Sequence, residues 1–199
     1  FHIDIERLRK FGHYTQVFAA FSSFEFHKNP LIHCFNLLDN FIKEVDENKE
    51  YIKLCKSYQD LETTIRDNKI SAFLSVEGAD FLDDIKILDR LYDLGIRIMS
   101  LTWNNDNKLA GGAYGDNIGL SALGIDVVKR LEELGIILDL SHIGEKSFFD
   151  IVNVTIKPFV VSHSNSYKIC PDKRNITDEQ LKYLNEVHHD QIQSNFHYH

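Results

Sequence analysis

Long apolar runs, paired cysteines and a surplus of basic residues are all missing from this chain. No stretch approaches the roughly 20 residues that cross a bilayer, and FHIDIERLRK at its start lacks a signal-peptide core. A soluble protein is expected. Cys34, Cys55 and Cys170 are odd in number, widely spaced and in no CxxC pair. Neither a disulfide framework nor a zinc ribbon is suggested, and a reducing, cytoplasmic setting is the default. A formal net charge of -8 and a pI near 5.6 argue against nucleic acid or an anionic membrane as the main partner. With three prolines and ten glycines, no low-complexity tract appears and no Pro/Gly/Ser linker divides the chain. Its 199 residues, 43% hydrophobic, suffice for one substantial core in a single domain.

Hydrophobic periodicity then sets out alternating elements. TQVFAAF (15–21) reads as a strand, followed by a long helix from about Leu31 to Lys56 with Ile32, Phe35, Leu38, Ile42 and Val45 on one side. SAFLSVEG (71–78) is the next strand. DDIKILDRLYDLG is an amphipathic helix with Ile85, Leu88, Leu91 and Leu94 inward and Gly95 as its stop. GIRIMSLTW is again a strand, and NNDNKLAGGAYGDN after it is a polar loop of the kind that serves a site. LSALGIDVVKRLEELG repeats the helix pattern through Ile125, Val128, Leu131 and Leu134. GIILDLSH and PFVVSHS read as two short buried strands, joined by a helix that carries Phe148, Ile151 and Val152. Thr177 and Gln180 form a capping box, and QIQSNFHYH would be a sixth strand. The fold class is α/β, and a (β/α) barrel fits best.

Parallel strands joined by helices send their C-terminal ends to one side, where such folds bind ligands. Two consecutive apolar runs end in Ser-His, which places His142 and His163 close together on that rim. Glu77, Trp103 and Asn104 end other strands on the same side. Singly, a strand-end histidine is more often the partner of a nearby carbonyl, and Glu77 could be a solvated loop carboxylate. Together, one carboxylate and two imidazoles make a zinc set the better reading. Gly78 after Glu77 lets the backbone turn sharply and leaves the carboxylate over the mouth of the barrel. Arg174, in KRN, is either a surface arginine or a fork-shaped donor for an anionic substrate group.

SVEGAD, GIRIMSLTWNNDNKLAGG, GLSALGIDVVKRLEELGIILDLSH, VVSHSNSYKICPDKRNITDEQL and the opening IDIERLRKFG resemble the membrane dipeptidase family, also called renal dipeptidase or metallopeptidase family M19. The resemblance runs from Ile3 to Leu184. It implies a TIM-type (β/α)8 barrel with two zinc ions, bridged by a glutamate and by a hydroxide that attacks the peptide bond of a dipeptide. By position, Glu77 resembles the bridging, catalytic carboxylate, and His142 and His163 the remaining ligands of the second zinc. Arg174 resembles the anchor for the dipeptide's free carboxylate. Trp103, beside Asn104 in the substrate region, stands where vertebrate members carry a histidine over the scissile carbonyl, and LTWN is similar to bacterial relatives.

Two motifs of the family have no match here. The His-x-Asp pair of its first strand lies upstream of the segment similar to IDIERLR, and His2 and Asp4, although correctly spaced, match the segment after that pair and are not taken as ligands. The proton-shuttling aspartate of its eighth strand, in a motif like SDFDG, is also absent. The chain is therefore expected to be one barrel domain, incomplete at both ends: a fragment covering about six strands, without the first and eighth, or an inactive relative. As it stands it is expected to hold one zinc tightly and to hydrolyse dipeptides poorly. Another binuclear hydrolase, of lactonase or phosphotriesterase type, and a non-catalytic metal-binding module are the alternatives; the order Glu, His, His followed by RN favours the dipeptidase. The expected partner is a dipeptide substrate, with no nucleic acid and no membrane, and a homodimer is left open.

Overall fold

The computed structural model describes residues 3–185. Its elements in chain order are α1 (Ile5–Leu8) with a 3-10 turn (Arg9–Phe11), β1 (Tyr14–Phe21), α2 (Pro30–Glu47), β2 (Ile52–Leu54), α3 (Tyr58–Arg66), β3 (Ile70–Glu77), α4 (Lys86–Leu94), β4 (Ile96–Ser100), α5 (Ala122–Leu134), β5 (Ile137–Asp139) and α6 (Glu145–Val152). Helical backbone also covers 178–185.

Strand β3 is the hub of one parallel sheet. Its one edge pairs with β1 over all eight residues, from Tyr14 opposite Ile70 to Phe21 opposite Glu77. The other edge is shared: β2 lies against Ile70–Ala72, and β4 takes over from Leu74, where the register shifts. β4 in turn pairs with β5, which gives the order β1-β3-β4-β5. A parallel strand covered on both faces must be apolar throughout. β3 meets that requirement with Ile70, Ala72, Leu74 and Val76 buried, and its buried Ser71 and Ser75 are small enough to pack between them. The helices cover the sheet with the residues their period selects. Leu88 and Leu91 of α4, Val127, Val128 and Leu131 of α5, and Phe148 and Ile151 of α6 join one core. Replacing Leu88 or Leu91 by alanine would cost about 2–5 kcal/mol. Gly95 and Gly135 close α4 and α5 as expected, and Thr177 and Gln180 cap each other's backbone N–H.

Three expectations from periodicity are corrected. The long helix stops at Glu47, where the N–H of Asn48 bonds back to Glu44 and Val45, and residues 52–54 form β2 instead. Burial of Ile52 beside Ile70 outweighs helix propensity there. Ile32 is 57% exposed, because the inward face of α2 is Pro30, Cys34, Leu38 and Val45. The second Ser-His run forms no strand, only a parallel bridge between Asp139 and Val160, held by Val160 N–H to Leu138 and Leu140 N–H to Val160. Pro158 lacks the N–H that a longer ladder would use. QIQSNFHYH lies outside the described residues.

Candidate metal centre

Glu77 is the last residue of β3, and Gly78 turns the chain with φ 78°. That conformation strains any residue with a side chain, and a Cβ there would lie 3.4 Å from both Cβ and N of Trp103. The turn is fastened by Gly78 N–H donating to Ser100 Oγ at 3.0 Å, and it leaves the Glu77 side chain one quarter exposed at the rim. His142 follows β5 in the left-handed region, φ 72°, which is uncommon for a residue with a Cβ and costs on the order of 1–3 kcal/mol. Its carbonyl is held there by Ala113 N–H at 2.9 Å and Thr102 Oγ at 3.2 Å. The loop that supplies Ala113 can pass this close because Gly112 has no side chain; a Cβ there would lie 2.4 Å from the Asn105 carbonyl oxygen.

The three side chains meet at single atoms. His142 Nε2 lies 2.9 Å from Glu77 Oε1, His163 Nε2 lies 3.5 Å from the same oxygen, and the two ring nitrogens are 2.9 Å apart. Each ring is held from behind. Asn104 Oδ1 is 2.9 Å from His142 Nδ1, and Ser162 Oγ is 2.7 Å from His163 Nδ1. With the hydrogen of His142 on the nitrogen that faces an acceptor oxygen, its Nε2 lone pair points at Glu77. Lone pairs converging at this distance repel unless positive charge lies among them, either a proton on a ring nitrogen or a metal ion. When the positive charge is a proton on His142 Nε2, that ring donates to Glu77 and holds its carboxyl below its usual range, against burial, which pushes it up. Imidazole and carboxylate together are a donor set that suits zinc, and among the described residues this is the one such cluster of three.

The remaining expected residues surround the cluster. Arg174 is half-buried, with Nη1 3.4 Å from Ser164 Oγ and Nη2 3.4 Å from the His163 carbonyl. Burial lowers its pKa, and the charge of Glu77 is the largest opposing influence. It shares with His142, Ala113, Tyr167 and Asn175 the wall of a cavity of about 400 Å³. Trp103 packs edge-on against Phe21 at 5.2 Å and Phe26 at 5.7 Å, and its ring centre is 6.0 Å from that of His142. Asn104, expected to face substrate, has its side-chain oxygen on His142.

Sequence reasoning missed the residues behind the ligands. Asp139 is buried at the end of β5, where Oδ1 accepts the N–H of Ser141 and of Ser162, each at 3.0 Å, and Oδ2 accepts the Ser162 hydroxyl. Its signal was available: a carboxylate inside an apolar run must find partners or carry a large desolvation cost. Asp106 similarly gathers the 104–119 loop through the N–H groups of Gly112 and Asp116.

A parallel sheet with a carboxylate and two imidazoles meeting at its C-terminal rim points to a class, the α/β barrels, here with a candidate metal centre at the face where such folds bind ligands. Residues 1–196 match the family model described as membrane dipeptidase, peptidase family M19, and the chain belongs to that family. An uncharacterised protein from the PQQ-III 3′ region of Acinetobacter calcoaceticus is 30% identical over 93% of this chain and 67% of its own length. Among solved structures, a dipeptidase AC of family M19 superimposes with a TM-score of 0.85 at 23% identity, over 93% of this chain and 60% of its own. A Rhodobacter sphaeroides metallopeptidase, liganded with a phosphinate mimic of the dipeptide L-Ala-D-Ala, gives 0.85 at 22% identity, over 94% and 62%. The parallel α/β fold expected from the sequence is shared with these two solved structures, and the chain spans about 60 to 67% of the length of the three proteins named. No helix among the described residues is long and apolar enough to cross a membrane.

Proposed function

We propose that this chain forms the metal- and substrate-holding part of a zinc-dependent dipeptidase. The observation that carries the reading is the meeting of Glu77 Oε1, His142 Nε2 and His163 Nε2 within 3.5 Å of one another. These three side chains would hold one zinc ion. Glu77 would also serve a second zinc in the intact protein, as a carboxylate shared between the two ions. Bound zinc supplies Lewis acidity and brings a water molecule's pKa to near neutrality.

Arg174 would take the dipeptide's terminal carboxylate. Its fork is half-buried, it forms no ion pair among the described residues, and it lines the same cavity as His142. The likeness to a metallopeptidase that holds a dipeptide mimic supports this substrate class. Trp103, packed on Phe21, would shield the reacting bond from bulk water beside His142, while Asn104 keeps that ring in place. A cytoplasmic setting accords with Cys34, Cys55 and Cys170, all of which are unpaired.

Steady-state kinetics of the intact protein with zinc, on a dipeptide and on its C-terminal amide, test the proposal. Loss of a charge-assisted pair to Arg174 should slow the amide by about 10–100-fold in kcat/KM. Equal hydrolysis of both would remove Arg174 from this role, and failure to cleave any dipeptide would remove the activity.

A further inference from the structure

A histidine that offers Nε2 to a metal needs its hydrogen on Nδ1. For His163 that hydrogen is controlled from Asp139, two bonds away. An ionised carboxylate can only accept. The Ser162 hydrogen is therefore committed to Asp139 Oδ2, and Ser162 Oγ has only lone pairs to offer His163 Nδ1, 2.7 Å away. The hydrogen of that second bond must come from the ring. Nε2 is then left bare, 3.5 Å from Glu77 Oε1 and 2.9 Å from His142 Nε2.

We infer that Asp139 and Ser162 are positioning residues for the metal ligand His163, the carboxylate setting the direction of the hydroxyl and the hydroxyl setting the tautomer of the ring. The inference rests on the zinc reading above only for what Nε2 is turned towards. Asp139 also aligns the two Ser-His corners, since its Oδ1 holds the N–H groups of Ser141 and Ser162 together and Ser141 Oγ accepts the His163 N–H at 3.1 Å.

The relay has a direction that one substitution reverses. In Asp139→Asn the two backbone N–H groups keep the amide oxygen on their side, so Nδ2 faces Ser162 and donates where Oδ2 accepted. Ser162 then donates to His163 Nδ1, and the ring hydrogen moves to Nε2, where it blocks the ligand position. Ser162→Ala removes the relay without reversing it. Because Ser162 is exposed, water can stand in for the lost hydroxyl, and the effect is smaller. Ser162→Thr keeps the hydroxyl at an exposed position.

Long-range proton–nitrogen NMR of the histidine rings, recorded on the intact protein without metal, reads the tautomer. Zinc titration against a competing chelator reads affinity. The expected results are Nδ1–H on His163 in the wild type and in Ser162→Thr, and Nε2–H in Asp139→Asn. Zinc affinity should fall about tenfold in Ser162→Ala and about a hundredfold in Asp139→Asn, with Ser162→Thr close to wild type. A wild-type His163 with its hydrogen on Nε2 overturns the inference, as does an Asp139→Asn protein that keeps both Nδ1–H and wild-type affinity. Should Asp139→Asn fail to fold, the serine variants decide: unchanged tautomer and affinity in Ser162→Ala overturn it. If the wild type takes up no zinc while the tautomers follow the expected order, the zinc reading fails and the relay stands.

Discussion

Asp139 and Asp80 both sit at the C-terminal rim of the sheet, yet Asp139 has both oxygens engaged while Asp80 has one oxygen buried without a partner among the described residues. The contrast extends to their surroundings. Around Asp139, the ring nitrogens of His142 and His163, the hydroxyls of Ser141 and Ser162 and the N–H groups of Ser141, Ser162 and His163 have partners, and the positions of the two rings follow from those bonds. Around Asp80, Oδ2 accepts from Ser23 Oγ and Phe24 N–H at 2.9 Å, but Oδ1 and the neighbouring loop's His27 Nδ1 are both buried with no partner among the described residues. His27 stacks on His33, and Phe24 and Phe26 are more than half exposed, with Phe26 beside Trp103. One half of the rim is held by directional bonds that fix where lone pairs point. The other is held by ring packing, which fixes shape and leaves polar direction open.

The largest effect expected from breaking this arrangement is at the ligand both histidines share. Glu77→Gln removes the negative charge on which they converge, and zinc affinity should fall by more than the 10–100-fold typical of a supporting group. A chelator competition that finds wild-type affinity would take Glu77 out of the site. The same chemical change made in each half sharpens the contrast directly. Asp139→Asn should lower stability by about 2–3 kcal/mol, because charge-assisted bonds are lost in a buried place, and Asp80→Asn by less than about 1 kcal/mol, because one of its oxygens has no bond to lose. Urea unfolding at neutral pH measures both, and equal losses would erase the distinction.

At the edge of the bonded half, Arg174→Lys keeps the charge but not the planar fork, and should raise KM for a dipeptide by about tenfold. The smallest effect lies away from the rim altogether. Lys53 beside Asp60 holds that carboxyl down at about 2, below its ordinary 3.8, so the pair favours the folded state above the ordinary value. That contribution fades as pH falls through about 2. The stability difference between wild type and Asp60→Asn should be small at pH 7, as for exposed pairs generally, and should shrink between pH 4 and pH 2. A difference that grows with acid would reverse the sign.

The same distinction decides what could be read from the sequence. α4 and α5 were legible because Leu88, Leu91, Val128 and Leu131 recur at helical spacing and a glycine ends each helix. The meeting of Glu77, His142 and His163 was legible because each ends an apolar run, although only the first two runs are strands and the third is joined to β5 by the Asp139–Val160 bridge alone. β2 was hidden, since three residues inside a helix-like pattern gain strand character only from pairing with Ile70–Ala72. Asp139 stood out as a carboxylate in an apolar run, but what it bonds was hidden for a related reason: its partner Ser162 lies 23 residues further on. The position of Asn104 was foreseen but not its attachment to His142, which depends on a left-handed backbone held by a loop from elsewhere. Local pattern carries the elements and their ends, whereas the bonds that aim side chains are made between distant segments.

Convergence of Glu77, His142 and His163 on one metal ion is tested most directly by anomalous diffraction at the zinc edge, from crystals of the intact protein grown with zinc. The expected result is a peak within about 2.0–2.2 Å of Glu77 Oε1, His142 Nε2 and His163 Nε2. Zinc bound only elsewhere, with the three side chains still in direct contact with one another, would contradict it.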